Sequence, residues 1–163
     1  MDIFVPDPQN LGYMTPRLSA VDEGITDNYV EAAGYVTLVL PIGEIDIVAT
    51  PNLTEAPFEE WDLLGRKVRV ETAPEIIAKK MWHRGDQVAA RDLFDLALVI
   101  QREPAKLTRA RAFLMKHSEA FLAQLVSREA ILRESFDAID TLDFNPAFDE
   151  CAGTVTKFLA SLK

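Results

Sequence analysis

The spacing of apolar residues changes period along the chain. In the first third it is the two-residue alternation of strands. Tyr35–Leu40 is β-branched and aromatic, and Glu44–Ala49 alternates charged with aliphatic positions. Pro41-Ile42-Gly43 lies between them, so the pair predicts a hairpin or two adjacent strands. Asp2–Val5 predicts a short strand ended by Pro6 and Pro8, and Lys67–Glu71 predicts another. From Thr72 onward the period becomes helical. Thr72-Ala-Pro-Glu75 has the form of a capping box with proline in the first turn, which opens a helix over 73–84 that Gly85-Asp86 ends. A second helix follows over 88–101, apolar on almost every side and therefore central. Further helices are expected over 106–116, over 118–138, and from an Asn145-Pro146 start to about 162. The fold class that follows is α+β, with a small sheet region over 1–71 and a helical region over 72–163.

Composition narrows this picture only a little. At 163 residues with 48% hydrophobic and 26% charged side chains, the chain has the make-up of one globular domain. Its single cysteine, Cys151, excludes an internal disulfide and a four-cysteine zinc site, and predicts a reducing, cytoplasmic setting. No uncharged apolar run approaches the roughly 20 residues of a membrane span. The acidic start, Met1-Asp2-Ile3-Phe4, is unlike a secretory signal.

Charge is unevenly spread. Residues 1–65 hold twelve acidic side chains and one base, Arg17, whereas residues 66–91 hold seven bases and three acids. This fits two solvated faces of opposite bias, and it fits equally a carboxylate-lined site beside cations, as metal and phosphate handling requires.

Asp46 stands between Ile45 and Ile47, and Asp2 precedes Ile3-Phe4-Val5. Carboxylates on neighbouring strands can hold a divalent cation through oxygen ligands, although strand aspartates can also simply face water. Lys80 and Arg84 are four apart on one helical face, as are Arg91 and Asp95 on the next helix, where Asp92 is a further carboxylate. Charges on so apolar a helix require partners, so Lys80 or Arg84 should meet Asp92 or Asp95. An ion-paired lysine can still face a phosphate. His83 and His117 lack a partner at metal-ligand spacing, and no glycine-rich phosphate loop is present.

These residues resemble the AbiEii/AbiGii-type nucleotidyltransferases, toxins of abortive-infection toxin–antitoxin systems. The likeness rests on Pro74-Glu-Ile-Ile-Ala-Lys-Lys-Met81, then Arg84, then Arg91-Asp-Leu-Phe-Asp-Leu96. Asp2-Ile-Phe-Val5 is similar to the end of the family's metal-binding Asp-x-Asp strand, and Ile45-Asp46-Ile47 to its third carboxylate. The resemblance implies a partial nucleotidyltransferase-like sheet and transfer of a nucleoside monophosphate from a nucleoside triphosphate to RNA (tRNA-like) or protein. It implies Asp2 and Asp46 as ligands of magnesium or manganese, Lys80 on the triphosphate, and Asp92 orienting a donor or an attacking hydroxyl. Arg84, Arg91 and Asp95 become phosphate or ion-pair partners near the nucleotide. It also implies a cognate antitoxin as a possible partner.

The family's Gly-Ser or Gly-Gly motif and the first aspartate of Asp-x-Asp have no counterpart here, since Met1 takes the x position. The expectation is weak nucleotide binding and little transfer. The alternative function is a non-catalytic remnant that binds protein, either an antitoxin or another copy of itself.

Overall fold

The computed structural model describes residues 1–163, which divide into two units, Met1–Asn52 and Leu53–Lys163. The division falls at 52/53 rather than at 71/72, because a hairpin over 58–71 belongs with the helices.

The first unit is a four-stranded sheet of β1 (Asp2–Val5), β2 (Tyr29–Ala32), β3 (Tyr35–Leu40) and β4 (Gly43–Ala49), in the order β1-β4-β3-β2. Strand β1 runs parallel to β4, and the other pairings are antiparallel. A short 3-10 turn at Pro8–Tyr13 and helix α1 (Ala20–Glu23) lie between β1 and β2. Alternation buries Val36, Leu38 and Ile47 with Val5 and Leu11 on one face, and sends Asp46 to the other. The β3–β4 turn closes on Gly43, whose φ of 141° suits glycine alone.

The second unit opens with an antiparallel hairpin of β5 (Phe58–Leu63) and β6 (Arg66–Glu71). Its two-residue turn holds Leu64 at φ 53° and Gly65 at φ 76°, the positive values that such a turn requires. Asp62 Oδ1 accepts a hydrogen bond from the Gly65 N–H at 3.0 Å. The helices follow as α2 (Ala73–Arg84), α3 (Ala90–Arg102), α4 (Pro104–Arg109), α5 (Arg111–Met115), α6 (Ser118–Ser127), α7 (Glu129–Asp137) and α8 (Phe148–Ser161). Helix α3 is central as expected, burying Leu93, Phe94, Leu96, Ala97, Val99 and Ile100. Phe94 meets Phe136 and Phe144 with ring centroids 5.9 and 5.3 Å apart. Cys151 lies in the same core, where burial and neighbouring Glu150 push its thiol up to about 11 and leave it unreactive. No helix is long and apolar enough to cross a membrane.

Four local expectations are corrected. Thr72 makes no capping bond; its hydroxyl donates to the Ala56 carbonyl, and Glu75 turns into the interior. The helix expected over 118–138 breaks at Arg128, whose guanidinium reaches the Val88 carbonyl at 3.2 Å. The segment over 106–116 breaks at Ala110, and Arg111 donates to the carbonyls of Leu162 and Lys163 at the end of α8. The final helix starts at Phe148, with Ala147 rather than Asn145 before it.

Candidate functional site

In the first unit, β1 and β4 place Asp2 directly opposite Asp46 in parallel register, with Thr37 opposite Asp46 on the far side. In-register residues of adjacent strands share a sheet face, so the two carboxylates lie side by side, away from the Val36–Ile47 core. The Thr37 hydroxyl donates to Asp46 Oδ1 at 2.6 Å and fixes that side chain, leaving Oδ2 free of this bond. Thr37 was not foreseen; its place opposite Asp46 was readable only once the β3–β4 register was known. Asp2 is largely exposed, with the chain's terminal ammonium 3.9 Å away.

No cluster of three or more histidine, cysteine or acidic side chains is placed to hold a metal. A pair of carboxylates nevertheless fits magnesium, which is typically bound through one or two carboxylates together with water and substrate phosphates.

In the second unit, the cations of α2 meet the carboxylates of α3. Lys80 Nζ lies 2.7 Å from Asp95 Oδ2 and 3.1 Å from Asp92 Oδ1. Arg84 Nη2 lies 2.7 Å from the same Asp92 oxygen, and Arg91 Nε donates to Asp95 Oδ1 at 3.1 Å. Asp92 is nearly buried, at 7% side-chain exposure, and its Oδ2 also accepts from the Ala89 N–H that opens α3. Three cations face two carboxylates, so the cluster carries net positive charge. Lys80 donates a hydrogen bond to Asp95 and pairs with Asp92 by charge, and Arg91 keeps its terminal nitrogens for other acceptors. The arrangement can bind an anion at its exposed edge while holding Lys80 in a fixed pose. His83, near the end of α2, lies below the ordinary histidine range through partial burial and the Lys116 and Lys79 cations.

The family model for the nucleotidyl transferase AbiEii toxin of type IV toxin–antitoxin systems matches residues 17–162. The chain belongs to the AbiEii family. No curated protein and no solved structure matches it. The matched span of this AbiEii chain includes Asp46, Lys80, Arg84, Arg91, Asp92 and Asp95, while Asp2 lies ahead of it. Toxins of such systems are paired with a cognate antitoxin.

Sequence reasoning missed one more feature of this AbiEii chain, a buried network behind Lys80. Glu75 is fully buried and accepts from the Leu53 and Thr54 N–H groups at 2.9 and 2.8 Å, and from the Thr54 hydroxyl at 2.6 Å. Lys79 Nζ lies 3.5 Å from Glu75 and also binds Glu71. One ammonium thus serves two carboxylates. Glu71 is the closer to the ammonium, yet it is the less satisfied of the two, because its Oε2 is buried without a hydrogen-bond partner. Burial pushes the Glu71 carboxyl above the ordinary glutamate range, against the opposing pull of Lys79.

The sign of the consequence follows from linkage. A carboxyl whose folded pKa exceeds its unfolded value contributes stability at low pH and loses it as pH rises through that window. Glu71→Gln is therefore expected to raise the urea midpoint at neutral pH. The gain should vanish below the ordinary glutamate pKa of about 4.3. Urea titrations of both proteins at pH 4 and pH 7 check this, and an equal effect at both would contradict it.

Proposed function

We propose that this chain transfers a nucleoside monophosphate from a nucleoside triphosphate to a hydroxyl of RNA or protein. The observation that carries the reading is the Lys80–Asp92–Asp95 cluster within a chain matched to nucleotidyl transferase toxins over residues 17–162. In this reaction the acceptor oxygen bonds to the α-phosphorus, the α–β phosphoanhydride bond breaks, pyrophosphate leaves and the hydroxyl proton passes to solvent. Little covalent chemistry falls to the protein, so its task is positioning and charge stabilisation.

In the first unit, Asp2 and Asp46 would hold magnesium or manganese, with Thr37 orienting Asp46. The ion supplies charge neutralisation on the phosphates. In the second unit, Lys80 offers an N–H to a phosphate oxygen, and Arg84 and Arg91 contribute positive charge at the exposed edge. Asp92 keeps Lys80 and Arg84 in place, and its charge is the candidate for orienting an attacking hydroxyl.

Incubation with each of the four nucleoside triphosphates, labelled at the α or the γ phosphate, tests the reading. Magnesium or manganese and total RNA or protein extract complete the mixture. Label from the α position alone should become attached to RNA or protein, and Asp46→Asn should abolish it. Absence of transfer from every nucleotide, or transfer that survives Asp46→Asn, would defeat the reading.

A further inference from the structure

The β5–β6 hairpin sorts its side chains into a charged face and a largely apolar one. Cross-strand register puts Phe58, Glu60 and Asp62 on one face with Lys67, Arg69 and Glu71. It puts Glu59, Trp61 and Leu63 on the other with Arg66, Val68 and Val70. The charged face is tied to the helices at its base alone, where Glu71 binds Lys79 of α2, and its other residues are exposed. It is also satisfied within itself: Lys67 lies 3.6 Å from Glu60, and the Arg69 guanidinium covers the Phe58 ring at 4.6 Å. On the apolar face Trp61 and Leu63 are 54% and 58% exposed, Val68 and Val70 are half-buried, and none of the four joins the core. A lone two-stranded hairpin gains stability when such a face is covered.

We propose that this face docks on the same face of a second copy of the chain. Its two ends are oppositely charged. Glu59 stands at the base and Arg66 at the turn, with the apolar side chains between them. Two copies packed face to face about a two-fold axis, turn over base, set Glu59 of each against Arg66 of the other and the apolar rows together. Arg66 has no ion pair within its own chain, and Glu59 accepts only the Trp61 indole N–H, at 2.8 Å. Edge-to-edge pairing is disfavoured, because β5 against β5 opposes Glu59, Glu60 and Asp62 to their own kind, and β6 against β6 does the same with Arg66, Lys67 and Arg69. The face spans about 20 Å by about 10 Å, small beside a standard interface. The dimer is accordingly weak, with Kd on the order of 10⁻⁴ M.

Sedimentation equilibrium of the full chain from about 10 μM to about 1 mM measures it. Wild type should pass from monomer to dimer across this range. Glu59→Arg and Arg66→Glu should each lose about tenfold or more in association, since each places like charges together twice. An equimolar mixture of the two variants should recover it, because a heterodimer restores opposite charges at both contacts. Circular dichroism of these exposed-site variants verifies that both remain folded. A wild type that stays monomeric at the highest concentration overturns the proposal and leaves the face to a different partner. Dimerisation indifferent to both reversals, or variants that fail to complement each other, overturns it as well.

Discussion

Lys80→Ala is expected to lower nucleotidyl transfer by about 10²–10³-fold while leaving the fold nearly intact. The two halves of this expectation come from the same geometry. Lys80 Nζ is held between Asp92 and Asp95 at 3.1 and 2.7 Å, so its position is set before any nucleotide arrives. Preorganised charge of this kind supplies the larger part of catalysis in phosphoryl transfer. Removing Lys80 nevertheless leaves each carboxylate a cation, Arg84 for Asp92 and Arg91 for Asp95. Lys80 is itself 22% exposed, so the stability loss should be only about 1 kcal/mol. Lys80→Arg keeps the charge but replaces a compact ammonium by a planar fork, and should recover part of the rate. Transfer rates at saturating nucleotide, measured beside urea unfolding curves, separate the effects. A Lys80→Ala protein that is stable and transfers within twofold of wild type would remove Lys80 from the site.

Why the charge cluster was readable from sequence, and much else was not, has a physical basis. Lys80, Arg84, Asp92 and Asp95 had to meet because α3 is apolar on nearly all sides, and unpaired charge there is costly. Asp2 and Asp46 followed from two strand patterns whose alternation put one carboxylate each on the face opposite the core. Strand β2 escaped because Tyr29–Ala32 is short and pairs with β3 alone. Strand β5 escaped because half its residues are acidic, although Trp61 and Leu63 kept the strand period. The helix breaks at Ala110 and Arg128 lie beside long-range bonds: Arg111 reaches carbonyls about fifty residues away, and Arg128 reaches the Val88 carbonyl forty residues back. No local pattern announces such contacts. Glu75 shows the principle most clearly. Its spacing from Thr72 suits a capping box, but the Leu53 and Thr54 amides offered the carboxylate better partners, and tertiary structure overrode the local motif.

Glu75 is also where a single substitution should damage the fold most. Its carboxylate is fully buried and takes three hydrogen bonds from Leu53 and Thr54, besides facing Lys79 at 3.5 Å. Glu75→Ala strands two backbone N–H groups and a hydroxyl in the second unit, while Lys79, itself 7% exposed, keeps its pairing with Glu71. The three unsatisfied donors together should cost about 3–5 kcal/mol. That is a large fraction of the total stability of a small protein. Glu75→Gln retains one carbonyl acceptor and most of the volume, so it should lose less, about 1–3 kcal/mol. The double variant Glu75→Gln with Lys79→Met should not be the sum of its parts, because the two side chains are in contact and share Glu71 as a neighbour. Equilibrium urea unfolding of the four proteins supplies the full cycle. A Glu75→Ala chain within about 1 kcal/mol of wild type would show that water or a shifted backbone satisfies Leu53 and Thr54. The anchoring role assigned to Glu75, holding the 53–54 segment against α2 one turn before Lys80, would then fall.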